Sequence, residues 1–205
     1  MLTLLKSGSS SINADILSES IFESVNSLSE FNLDPSRHFA VDELLAFIPP
    51  NIRHVGSAPY QGFLSNQQTH FQQAFAEIRL RAISLNSYIG IIITKPPETV
   101  CVILPPNRSS DLSAGLSNGL SGSSSSSREK YYLFDPHSRP QLGLEGAYLV
   151  SSEVEADILR RLNDLFPPLP DDSYDFDDQQ GAGTAPNWGA MMYNMFDCWT
   201  FQFVQ

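Results

Sequence analysis

The sequence predicts an α+β domain: helices first, then an antiparallel sheet. Three observations carry that prediction. Before residue 84, apolar residues recur at helical spacing. From Ser87 the chain changes to short β-branched and apolar runs separated by turn residues. Helices first and an antiparallel sheet later make an α+β domain.

The elements follow in order. Met1, Leu2, Leu4 and Leu5 share one helix face, and Gly8 can end that helix. With no N-cap and no first turn, this reads as the second half of a helix whose first half is missing. The alternative is an apolar tail that docks. Ser11 can cap a second helix, with Ile12, Ile16, Leu17, Ile21, Val25 and Leu28 in one stripe. Val41 to Ile48 is a third, capped from around the Asp34–His38 turn and stopped by Pro49-Pro50. Gln67 to Ile83 places Phe71, Ala74, Phe75, Ile78 and Ala82 at helical spacing. Its end (Ile78, Leu80, Ala82) also alternates, but the segment is read as helix.

Tyr88 to Thr94 is a strand interrupted only by Gly90, and Thr99 to Leu104 is its hairpin partner. The Lys95-Pro96-Pro97-Glu98 connection predicts a loop somewhat longer than the tightest types. Residues 107–128, with Ser124 to Ser127 and repeated Gly-Ser steps, are expected to be a flexible insertion. Lys130 to Phe134 is a strand that pairs with the hairpin, and Ala147 to Val150 is short and extended. Glu153 to Leu165 is an amphipathic helix, ended by Pro167-Pro168. An acidic, Gly-rich loop spans 167–187, and Trp188 to Phe203 docks as a last helical turn or strand. All 205 residues are expected to form one domain.

The net charge of −11 disfavours nucleic acid and anionic membranes as partners and suits a basic protein surface. No apolar run approaches the roughly 18 residues of a membrane span. Two cysteines make no disulfide framework and suit a reducing compartment, so an intracellular, cytoplasmic or nuclear protein is expected. His38, His54, His70 and His137 lack metal-ligand spacing, and no phosphate loop or Gly-x-Ser-x-Gly elbow occurs. No metal or cofactor is expected.

The segment that carries chemistry is Tyr131 to Pro140. Side chains two apart on an extended segment share a face, so Asp135 and His137 can meet at a strand end. There a carboxylate can hold an imidazole in one tautomer and stabilise the imidazolium formed when it takes a proton. Pro136 favours a strand edge or end. Taken alone, Asp-x-His also describes an ordinary turn with a surface histidine.

The Phe134-Asp135-Pro136-His137 sequence after a Tyr-Tyr-Leu strand resembles the Asp-Pro-His box of herpesvirus large-tegument deubiquitinases and their cellular, viral-tegument-like relatives. The likeness extends to the strand pair around Ile89–Leu104 and to Ala147–Val150. It implies a papain-like fold, a cysteine-type deubiquitinase or isopeptidase activity, and ubiquitin or a ubiquitin-like protein as partner. It also implies His137 as general base and Asp135 as the carboxylate that orients it. That family places its nucleophilic cysteine and an oxyanion glutamine ahead of the first helices. Here no cysteine occurs before Cys101. With the half-helix look of Met1 to Leu5, this predicts an N-terminally incomplete gene model or a pseudoenzyme, inactive as the chain stands. A non-catalytic binding module of the same fold is the alternative. In a third reading, Asp197-Cys198-Trp199 is similar to the Asp-Cys-Gly box of ubiquitin-like-modifier proteases, with Trp199 in place of the glycine and Cys198 as nucleophile. Cys101, in an apolar strand, reads as a small buried hydrophobe.

Overall fold

A computed structural model of the chain describes residues 30–31, 33–34, 40–48, 50–84, 86–106, 129–169 and 192–203. The expected helices within residues 1–29, the 107–128 insertion and most of the 167–187 loop lie outside these residues.

Among the described residues, seven strands form one antiparallel sheet: β1 (Ile52–His54), β2 (Tyr60–Phe63), β3 (Ile89–Lys95), β4 (Glu98–Leu104), β5 (Tyr131–Asp135), β6 (Tyr148–Ser152) and β7 (Met195–Phe203). The helices among the described residues are α1 (Val41–Leu44), α2 (His70–Arg81) and α3 (Glu155–Leu165). The strand order is β1-β7-β3-β4-β5-β6, and β2 also pairs with β7.

The mixed α and β content and the antiparallel sheet agree with the sequence-based expectation. The order along the chain is a correction, because β1 and β2 precede α2. These strands are three and four residues long, too short to show a period. They exist because β7, far away in sequence, offers them an edge: β1 lies against Phe201–Phe203 and β2 against Met195–Cys198. The other edge of β7 pairs with β3. From Met195 the C-terminal segment is thus a strand near the middle of the sheet, the second of the two forms expected for it. Its alternation explains this. Phe196 and Cys198 face one apolar cluster while Trp199 and Phe201 face another, so both faces can be covered.

The β3–β4 connection is tighter than expected. Lys95 pairs directly with Glu98, leaving only Pro96 and Pro97 in the loop. The α1 helix is also shorter than expected: one turn continues as a 3-10 turn over Leu45–Phe47 before Ile48. Its first turn is closed by Glu43, whose carboxylate accepts the Ala40 N–H at 2.9 Å.

One face of the sheet is covered by α2 and α3. Phe71, Ala74, Phe75 and Ile78 from α2 and Ile158, Leu162 and Leu165 from α3 pack onto Ile91, Ile93, Val100, Val102 and Leu133. Arg79 of α2 and Glu155 of α3 form an ion pair between the two helices. On the opposite face Val41, Leu45 and Ile48 pack against Ile52, Ile103, Tyr132 and Phe201. Gly62 is required by close approach: it pairs with Phe196, whose ring occupies the space a Cβ would need.

Candidate active site

The Asp135–His137 pair sits where β5 runs out of the sheet. Leu133 packs under the helices, and alternation places Asp135 on that same face. Two residues later the chain has left the ladder, and the β5–β6 connection begins. That connection folds back on itself: Arg139 N–H donates to Leu144 O at 2.7 Å, and Leu144 N–H donates to Arg139 O at 3.1 Å. Gly143, with φ +71°, supplies the left-handed residue that closes the turn over Pro140–Leu142. The turn holds Arg139 beneath the strand end.

The structure brings the two predicted residues together. The Nδ1 atom of His137 lies 2.7 Å from Asp135 Oδ1, and the same oxygen accepts the His137 backbone N–H at 2.9 Å. Asp135 is completely buried, whereas the His137 side chain is 35 % exposed. An ionised carboxylate can only accept, so Nδ1 must carry the proton and the lone pair of neutral histidine is on Nε2. Among the described residues Nε2 has no hydrogen-bond partner. The pair has the form a general base needs: one nitrogen anchored and the other open.

Three residues that the sequence reading did not single out complete the arrangement. Arg139 Nε donates to Asp135 Oδ2 at 2.8 Å, and the Tyr148 hydroxyl donates to the same oxygen at 3.1 Å. The two terminal nitrogens of Arg139 donate to the two carboxylate oxygens of Glu98 at 2.7 and 2.8 Å, a fork-on-fork pair. Burial pushes the Asp135 carboxyl up. Hydrogen bonds from Arg139 and from the His137 backbone and ring, with the Arg139 charge, outweigh it and hold the group below the ordinary carboxylate value. Hydrogen bonding to Glu98 holds the Arg139 guanidinium charged in spite of burial. Burial and the Asp135 charge push the Tyr148 phenol up, so it remains a donor.

Arg139 lies in the Tyr131–Pro140 segment that carries the chemistry, but no local signal assigns it to Asp135. Tyr148 and Glu98 carry no local signal. They arrive through register: Tyr148 pairs with Asp135 across the β5–β6 hairpin, and Glu98 opens the neighbouring strand.

Neither cysteine is brought to His137. Cys101 pairs with Phe134 and so lies beside β5, but alternation puts it on the sheet face opposite Asp135. Burial pushes its thiol up to about 11. Cys198 is on β7, which is separated from β5 by β3 and β4, or about 14 Å at ordinary strand spacing. It is 1 % exposed within the apolar core, and burial, followed by the Asp197 charge, pushes its thiol up. A thiol nucleophile needs a partly exposed, electropositive setting that favours thiolate; Cys198 is buried, and half-buried Cys101 has its thiol pushed up as well.

Among the described residues, no group of three or more His, Cys, Asp or Glu side chains is placed to hold a metal ion. No described helix is long and apolar enough to cross a membrane. Compared with known proteins, the sequence matches no family model and no curated protein.

Proposed function

We propose that this chain carries the general-base half of a cysteine-type isopeptidase of papain-like fold acting on ubiquitin or a ubiquitin-like protein. The observation that carries the reading is the 2.7 Å contact between His137 Nδ1 and a fully buried, charge-matched Asp135. In this scheme His137 Nε2 takes the proton from a thiol as the sulfur attacks the isopeptide carbonyl. It then returns that proton to the departing lysine amine, while Asp135 stabilises the intermediate imidazolium. The box that resembles the tegument-type deubiquitinases contains both residues. The net charge of −11 would complement a modifier whose C-terminal tail carries arginines.

A second reading, a non-catalytic module that binds the same partner, is favoured by the placement of the two cysteines. Both are held in the sheet away from His137, so the attacking thiol would have to come from outside these 205 residues.

Two measurements separate the readings. A ubiquitin probe with a C-terminal vinyl warhead should leave Cys101 and Cys198 of this chain unlabelled. Where sequence joined ahead of Met1 supplies a cysteine, the same probe should label that cysteine. His137→Ala should abolish that labelling, and Cys198→Ser should leave it intact. Labelling that survives His137→Ala overturns the proposed base. Measurable ubiquitin binding without labelling in either form selects the binding module, and absence of both removes the ubiquitin reading.

A further inference from the structure

Asp135 presents two oxygens, and the structure divides them cleanly. Oδ1 takes both hydrogen bonds from His137, from its backbone N–H and its ring. Oδ2 takes Arg139 Nε and the Tyr148 hydroxyl. The carboxylate therefore cannot rotate about its last bond without losing charge-assisted partners on both sides. Arg139 is fixed in turn, because its remaining two nitrogens are engaged by Glu98. A guanidinium held at both edges in one plane has no rotamer freedom left to spend on a second geometry. Glu98 belongs to β4, at the start of the strand that follows the Pro96-Pro97 turn, whereas Asp135 ends β5. The chain of contacts thus ties the end of one strand to the hairpin beside it.

We propose that Glu98 and Arg139 are positioning residues: acting through Asp135, they select the Nδ1–H tautomer of His137 and fix its ring. This rests on the reading of His137 as a general base. The two carboxylates and the guanidinium have distinct tasks. Arg139 neutralises the buried Asp135 charge and reserves Oδ1 for the histidine. Glu98 stops Arg139 from swinging away, since an arginine with only one carboxylate partner can pivot about that contact. A merely structural ion pair would stabilise the strand end but would leave the imidazole tautomer unchanged.

The test is long-range ¹H–¹⁵N correlation of the histidine side chains in the whole 205-residue chain, with His137 assigned from the signal lost in His137→Gln. In the unaltered chain His137 should show Nδ1 protonated and Nε2 not, with the Nδ1 proton shifted downfield by its carboxylate partner. Glu98→Ala removes a group at the partly exposed end of a hairpin, so the fold should persist, as circular dichroism would verify. Loss of its charge-assisted support should speed solvent exchange of the Nδ1 proton by about tenfold or more and raise the Nε2–H fraction. Glu98→Asp should restore part of the protection. A Glu98→Ala chain that folds and keeps the original tautomer and exchange rate overturns the proposal. If Glu98→Ala does not fold, Arg139→Lys decides by the same criterion, since lysine keeps the charge without the fork. His137 found as the Nε2–H tautomer in the unaltered chain would instead overturn the general-base reading itself.

Discussion

At the scale of single residues, the site is governed by what a buried carboxylate demands. Asp135 has no solvent exposure, and four donors converge on its two oxygens. An unpaired charge in such a place costs several kcal/mol, and a matched and fully bonded one does not. Asp135→Asn keeps the shape but removes the charge and turns an amide NH₂ toward at least one existing donor. Loss of one partner from a buried pair typically costs about 3–5 kcal/mol. Arg139 keeps Glu98 as a second partner, so a loss of about 3 kcal/mol in urea unfolding is expected. A change below about 1 kcal/mol would show that the network does not hold the strand end. The same change should weaken the preference for the Nδ1–H form at His137, because an amide NH₂ turned away from Arg139 Nε and Tyr148 faces the imidazole and donates to it instead of accepting.

At the scale of elements, the informative case is the end of α2. Ile78, Leu80 and Ala82 alternate in sequence as a strand would, and a strand would put all three on one face. The structure separates them: Ile78 is buried, while Leu80 is 81 % exposed. Phe71, Ala74, Phe75 and Ile78 are the face that meets the sheet. The helical period therefore held through Arg81, and the alternation was incidental. Phe75→Ala should cost about 3–5 kcal/mol of stability, and Leu80→Ala less than about 0.5 kcal/mol. Chemical denaturation of the two variants checks both, and comparable losses would contradict the helix orientation. The start of α3 is similarly specified from outside its own first residue. Val154 cannot cap, so Ser152 accepts the Val154 N–H at 3.0 Å and donates to Asp157 at 2.7 Å.

At the scale of the whole molecule, two histidines away from the candidate site make the fold sensitive to acid. His70 is buried at the start of α2, its Nδ1 accepting the Ser65 N–H at 3.3 Å, and burial lowers its proton affinity below the ordinary value of 6.5. His54, tilted against Trp199 and Phe201, is lowered by burial as well. For both, the unfolded chain binds the proton more readily than the folded one. Their contribution is thus present above about pH 6.5 and declines as pH falls through it. The thermal midpoint should drop on acidification from pH 7.5 to pH 5.5, and His70→Gln should reduce that drop. A midpoint that stays level, or rises, would contradict the direction of both shifts. At lower pH the held-down Asp135 adds to the loss, since its contribution disappears only below the ordinary carboxylate value of 3.8.

Part of this fold was readable from neighbouring residues alone. The period of 3.6 in α2 and α3 and the β-branched runs of β3 and β4 were legible within a few residues of their observed ends. So was the two-residue spacing that lets Asp135 meet His137. These are properties of neighbouring residues and need no knowledge of the rest of the chain. Long-range packing was needed to show that the C-terminal segment is an interior strand, that Ile52–His54 and Tyr60–Phe63 are strands at all, and that Glu98 and Tyr148 belong to the site. The physical reason is common to all of these. Strand pairing is made by backbone hydrogen bonds between distant segments, so which partner a segment takes depends on both segments together. The same pairing placed Cys101 on the far face and Cys198 three strands away, and so left the histidine and its carboxylate without a thiol from this sequence.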